Sequence, residues 1–256
     1  MKKDYSHLPE SRFIRHEPCP SCGSSDALSR YSDNHAICFS CDHYIHGDGS
    51  ISHTSLYKTK TRPLEMTGTI AAIQDRRISY DVCKRYGVTV EQGTDGVITK
   101  HHYPHHNQEG NQVVATKVRT VASKDFYSTG EMSSAGLFGQ QSFAAGGKYI
   151  TVTEGEIDAM AVCEMFDGKW PAVSLRGGAK SAVKDIKASL EYLETFDNVV
   201  ICFDSDAAGV EASQAVLQLF SPHKAKVCRL TMKDAGEMLQ ANKVREFTRC
   251  WWDAKA

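Results

Sequence analysis

The sequence predicts a mixed α/β protein in which a small metal-held module precedes a larger domain built on a parallel, helix-covered sheet. Three patterns carry that expectation. Two Cys-x-x-Cys pairs stand near the N-terminus, β-branched runs alternate with helical patterns from Lys148 onward, and the stretch between them reads as antiparallel hairpins. A chain of 256 residues has room for one sizeable core and a small module beside it.

Residues 1–46 are rich in Cys and His and poor in apolar runs, so they need a metal or disulfides to hold a fold. Cys19-Pro20-Ser21-Cys22 and Cys38-Phe39-Ser40-Cys41 stand 15 residues apart, the spacing of a four-thiolate zinc ribbon. The competing reading is four buried cysteines or a redox pair. Arg30, Tyr31, Asp33, Asn34 and His35 lie between the pairs, a set able to read unstacked bases or to form a solvated hairpin tip.

Residues 47–63 are polar, rich in Gly, Ser and Thr, and without periodicity, which predicts a flexible linker. Residues 64–147 form the next segment. Ile70, Ile73, Ile78, Val82 and Tyr86 suggest helices broken near Ser79. Strands are expected at Val88–Val90, Val97–Thr99 and Val113–Thr116, with turns at 93–96 and 107–111. The run His101-His102-Tyr103-Pro104-His105-His106, close to a turn signal, reads as a solvated hairpin.

Residues 148–256 alternate strand and helix: 149–153, a helix to about 166, 171–175, helix 179–194, 198–203, helix 207–220 and 225–231. That order implies parallel strands, with an active site beyond their carboxyl ends. Gly177-Gly178-Ala179-Lys180-Ser181 mimics a phosphate loop but lacks the glycine before the lysine, and reads as a turn and helix start. Cys83, Cys163, Cys202 and Cys228 sit in apolar runs and read as core. Trp251 and Trp252 either pack on the core or mark a junction.

Charge is balanced, 30 basic against 31 acidic residues, which excludes a global basic field and leaves nucleic-acid binding to local patches. Residues 47–147 hold 11 Lys/Arg against 9 Asp/Glu, and residues 148–256 hold 14 against 16. No apolar stretch approaches the ~20 residues of a membrane span. The unpaired remaining cysteines fit a reducing compartment.

Within the acidic half, Glu154, Glu156 and Asp158, then Asp204 and Asp206, then Asp234 each follow a strand-like run. Crowded carboxylates repel one another unless cations neutralise them, and hard divalent ions such as magnesium take these oxygen ligands. In extended backbone Asp204 and Asp206 would share a face and hold one cation or a pair. The macrodipole explains one acidic helix start easily, but three on consecutive elements poorly.

Thr153-Glu154-Gly155-Glu156-Ile157-Asp158, Phe203-Asp204-Ser205-Asp206-Ala207-Ala208-Gly209 and Lys233-Asp234-Ala235-Gly236-Glu237 resemble the motifs of the TOPRIM domain. With the cysteine pairs in front, the chain resembles the primase half of T-odd bacteriophage primase–helicases over nearly its whole length. The resemblance implies a zinc-ribbon domain linked to a polymerase domain, with residues 64–147 as N-terminal subdomain and 148–256 as the TOPRIM subdomain with C-terminal helices. It implies magnesium, as two ions, at Glu154, Asp204 and Asp206, supported by Asp158 and Asp234. Lys117 and Lys124 would face nucleotide phosphates, with Arg76 or its neighbour Arg77 nearby. His35, Asp33 and Arg30 would contact the template, and zinc at Cys19, Cys22, Cys38 and Cys41 would be structural.

The implied activity is synthesis of short RNA primers on single-stranded DNA from ribonucleoside triphosphates, in the cytoplasm. The implied partners are a replicative helicase, fused beyond Ala256 or separate, and a DNA polymerase. The alternatives are a zinc-ribbon TOPRIM nuclease or a recombination mediator that only binds DNA.

Overall fold

The computed structural model describes residues 11–41, 43–47, 51–52 and 62–255, and the chain divides into two units, Met1–Lys60 and Thr61–Ala256. The first is an antiparallel meander of β1 (Phe13–Glu17), β2 (Leu28–Tyr31), β3 (Ala36–Cys38), β4 (Tyr44–Ile45) and β5 (Ile51–Ser52), paired in that order. Its core is Cys19, Leu28, Ala36 and Cys38, flanked by Ala27 and Ile45, which is too little apolar surface to stand without the thiol cluster. Most of the expected linker, 47–63, lies outside the described residues. Within it, Ile51–Ser52 pair with β4.

The second unit begins with residues 62–79. Where apolar spacing suggested a helix, the chain makes only a 3₁₀ turn at Gln74–Arg76, closed by mutual backbone bonds between Ile73 and Ile78. Both isoleucines are buried, so their spacing serves a folded-back loop. Ser79 then caps α1 (Tyr80–Tyr86), its hydroxyl accepting from the Val82 amide.

A four-stranded antiparallel meander follows: β6 (Thr89–Gln92), β7 (Ile98–His106), β8 (Val113–Thr120) and β9 (Phe126–Gly130). The histidine run corrects the expectation of a solvated hairpin. It lies inside β7, and His101, His102 and His105 are buried. Alternation places His101, Tyr103 and His105 on one face, where His105 packs on Phe138 and the His101 ring nitrogen bonds the Tyr103 hydroxyl. Burial pushes His101 down to about 4, so it is neutral at physiological pH.

The parallel sheet comprises β10 (Gly147–Thr153), β11 (Ala172–Ser174), β12 (Phe196–Cys202) and β13 (Ala225–Val227), ordered β11-β10-β12-β13. Its crossovers are α2 (Glu156–Met165), then α3 (Ala182–Ala188) and α4 (Leu190–Glu194), then α5 (Ala207–Leu217). Helices α6 (Ala235–Gln240) and α7 (Val244–Trp252) complete the chain. The expected helix 179–194 splits at Ser189, whose buried hydroxyl donates to the Gln108 side chain. The expected strand 225–231 stops at Val227, and the following residues turn back over the sheet end, where the Ser205 amide bonds the Lys233 carbonyl.

Both faces of this sheet are buried, as parallel sheets require. Along β12, Val200 and Cys202 enter a core shared with α1, α2, α6 and α7, while Val199 and Ile201 enter one shared with α3, α4 and α5. Trp251 closes the first core, its indole N–H donating to Thr151 Oγ1. Strand order reverses between β10 and β12, and their in-register partners Thr153 and Cys202 place Glu154 and Asp204 beyond that switch point.

Candidate functional site

Two sites are built from these elements, one in each unit. In the first, the four cysteine sulfurs lie within 4.8 Å of one another, with Cys19–Cys41 and Cys22–Cys38 each 3.7 Å apart. Zinc–sulfur bonds of about 2.3 Å in a tetrahedron place sulfurs roughly 3.8 Å apart, so the four thiols fit zinc.

Beside them His35 is buried and stacked on Tyr31 at 4.4 Å and on Tyr44 at 5.6 Å. The Asp33 carboxylate accepts from its Nδ1 at 2.6 Å and so fixes the ring's orientation. His35 is therefore not a solvent-facing tip. Arg30 is engaged too, donating to Glu17 and to the Asn34 carbonyl.

The second site lies where β10 and β12 end. Glu154 Oε1 accepts from the Ala179 amide, while Oε2 is buried with no hydrogen-bond partner among the described residues. Gly178, at φ 72, presses so closely that a Cβ would stand 3.3 Å from Oε1. Asp204 is held up at about 6 by burial first, then by Glu154 and Asp234. Lys233 lies 3.4 Å from Asp204 and 3.8 Å from Asp234 and offsets only part of that repulsion.

Asp158 is buried and accepts from the Gly236 amide. Burial, then Asp234, raise it well above the carboxylate range. Asp234 and Asp206 cap α6 and α5 through the Glu237 and Gly209 amides. Asp204 lies beyond the end of β12 at Cys202, and Asp206, still extended, caps α5, so the two flank a strand-to-helix turn.

Among the described residues the carboxylates do not converge as tightly as the thiols. An open acidic patch suits magnesium, which binds through one or two carboxylates and keeps waters or phosphate oxygens in its remaining positions.

Facing this patch, Lys117 on β8 donates to Glu156 at 2.7 Å and to the Arg176 carbonyl at 3.0 Å. Burial raises Glu156, but His105 and Lys117 outweigh it and hold the carboxylate below its usual range. Arg76 lines a cleft with His101, Arg119, Phe126 and Asp158 and bonds Gln240 on α6. Arg77 is exposed in the left-handed conformation that closes the 3₁₀ turn, so Arg76 is the arginine of the cleft. Lys124 is exposed in the β8–β9 turn, with no ion-pair partner among the described residues.

Sequence reasoning missed Arg119, Arg176, His105 and the pairing of Glu156. The period-two pattern around Tyr103 could have revealed His105. Nothing local marks Arg176, a lone arginine before two glycines.

Residues 151–239 match the family model described as Toprim-like. The chain is 34% identical over 239 residues to a DNA helicase/primase of Enterobacteria phage T3, a match covering 89% of this chain and 41% of that protein. The crystal structure of the primase fragment of the bacteriophage T7 primase–helicase protein matches at 35% identity and a TM-score of 0.69, covering 94% of this chain and all of that fragment. A bacteriophage T7 lagging-strand DNA polymerase structure, with primase domains of two subunits bound to an RNA/DNA hybrid and dTTP, matches at 35% identity. Its TM-score is 0.65, over 73% of this chain and 93% of that one.

Removing the metal should melt the first unit alone, because a structural zinc supplies much of so small a fold's stability. Cys38→Ser should lose zinc and the β1–β5 amide dispersion in NMR spectra, while resonances of 62–255 keep their positions. Asp204 gives a pH signature in protein freed of divalent ions. Its folded pKa of about 6 lies above the reference 3.8, so its charge erodes stability as pH rises through that window. Asp204→Asn should gain stability over the parent from pH 4 to 6 in urea titrations; a gap that stays constant refutes the assignment.

Proposed function

This chain belongs to the family of the bacteriophage T7 primase fragment, and from that membership we propose that it is a DNA primase. It would make short RNA primers on single-stranded DNA from ribonucleoside triphosphates. The observation that carries the reading is the pair Glu154 and Asp204: one holds a buried oxygen unpartnered among the described residues and the other repels its neighbours, at the switch point of the sheet.

Magnesium bound there, as two ions, would lower the pKa of an attacking 3′-hydroxyl and neutralise charge on departing pyrophosphate. Glu154, Asp204 and Asp206 would hold it, with Asp158 and Asp234 in support. Burial and then Asp234 push Asp158 toward its neutral form, which would lessen the negative charge the patch carries. Lys117 would meet the triphosphate from β8, Arg76 from the cleft and Lys124 from the turn. Glu156 holds the Lys117 ammonium in place at 2.7 Å. In the ribbon, the Asp33–His35 pair would contact template bases from a rigid stack, with Arg30 beside it.

The chain spans 41% of the length of the phage T3 helicase/primase it matches. A fused or separate helicase is accordingly proposed as partner, and a DNA polymerase by likeness to the T7 assembly. No helix of the described residues is long and apolar enough to cross a membrane. We place the protein in the cytoplasm. Incubation with single-stranded DNA, ribonucleotides and magnesium tests the reading. Short RNA products support it, cleaved DNA would favour a nuclease, and binding alone a mediator.

Glu154→Ala or Asp204→Ala should lower RNA synthesis at least about 10²-fold, since each removes transition-state charge stabilisation, with circular dichroism and zinc content unchanged. Full synthesis by either would overturn the site. His35→Ala should blur the choice of start sites by about 1–3 kcal/mol of base discrimination, while extension of an annealed primer stays intact. Identical start-site maps would remove His35 from recognition.

A further inference from the structure

Arg176 and Asp185 form a buried ion pair that is absent from the roles assigned above. Arg176 Nε and Nη2 donate to Asp185 Oδ1 at 2.9 and 2.6 Å, and the Arg176 amide donates to Oδ2 at 2.8 Å. Ser181 Oγ adds a bond to the same Oδ2 at 2.7 Å. The remaining guanidinium nitrogen, Nη1, donates to the carbonyls of Ser133 and Ala135, in the connection that leads out of the antiparallel sheet. Arg176 and Asp185 are only 9% and 2% exposed, and each carboxylate oxygen is satisfied.

Two groups of the acidic site hang from the segment this pair grips. The Arg176 carbonyl accepts from Lys117 Nζ, and three residues on, the Ala179 amide donates to Glu154 Oε1. Between them stand Gly177 and Gly178, and β11 before them is only three residues long. Such a segment has high conformational freedom and no ladder of its own to restrain it. A buried ion pair also contributes little stability beyond what an apolar pair of the same volume gives, so stability alone accounts poorly for its presence.

We infer that Arg176 and Asp185 are positioning residues, a brace that fixes the β11–α3 segment so that its backbone orients Glu154 and Lys117 from opposite sides of the site. The inference rests on the primase reading for what the site does, not for how it is held. It acts through backbone groups, so neither side chain touches substrate. Without the brace, Glu154 loses its fixed rotamer and the carbonyl that docks Lys117 drifts. Misplacement of about an ångström costs on the order of 10²-fold in rate.

The test is Arg176→Met/Asp185→Leu in the full chain, which replaces both partners together and leaves no lone buried charge. Two readouts apply: manganese affinity, titrated by electron paramagnetic resonance without nucleotide, and the turnover number of RNA synthesis. In folded variant, manganese should bind about 10- to 100-fold more weakly, the usual effect of losing a group that orients a metal ligand. Turnover should fall about 10²-fold, with zinc content unchanged. Parent-like manganese affinity and turnover in the folded variant would overturn the brace. If the double variant does not fold, Arg176→Lys decides on the same readouts. It keeps the charge but loses the two-pronged grip and the carbonyl contacts. A parent chain that makes no RNA would overturn the primase reading, and the manganese titration would still judge the brace.

Discussion

Like-charge repulsion at the end of a parallel sheet is the constraint on which the second unit depends. β10 and β12 are neighbours in register, so the residues following them, Glu154 and Asp204, cannot separate without breaking the sheet. Asp234 is brought to the same place by the loop that bonds Ser205 to Lys233. The fold lowers the cost in three ways: burial that disfavours charge on Asp158, the ammonium of Lys233, and helix-start amides that cap Asp206 and Asp234. What remains uncompensated at Glu154 and Asp204 is the affinity of the site for a cation.

The antiparallel sheet supplies the opposite charge. Cross-strand register sets His101 beside Arg119 and Phe126, and Tyr103 beside Lys117, all on the face turned to Glu156 and Asp158. A cationic row thus opposes an acidic patch, and one half-buried pair, Lys117 with Glu156, joins them. The neutral state of His101 keeps that row from accumulating a third charge next to Arg119.

The parallel strands and the cysteine quartet were legible because each is written locally, in β-branched runs that end in carboxylates and in a fixed thiol spacing. What escaped the sequence depended on partners far along the chain. Ile70, Ile73 and Ile78 carry helical spacing, yet the mutual bonding of Ile73 and Ile78 makes a loop of them. The histidines of β7 look polar in one dimension, but the sheet register turns three of them into core. Asp204 and Asp206 have the two-residue separation that shares a face in extended backbone, but β12 ends at Cys202 and Asp206 caps α5. Arg176 gains its meaning only from Asp185 and from carbonyls some 40 positions earlier.

The aromatic closure of the first core has an optical consequence. All three tryptophans of the sequence, Trp170, Trp251 and Trp252, gather around Tyr149 within 5.5 Å between ring centroids, on the α7 side of the parallel sheet. Excitation absorbed by Tyr149 passes to indoles it touches, and one of those, Trp251, is sealed from water while Trp252 is half open. Indole emission from this chain, excited to the red of tyrosine absorption, is therefore a reporter of the second unit alone. The ribbon, which contains no indole, is spectroscopically dark at those wavelengths, so an unfolding trace followed by tryptophan light is blind to the thiol-bound module.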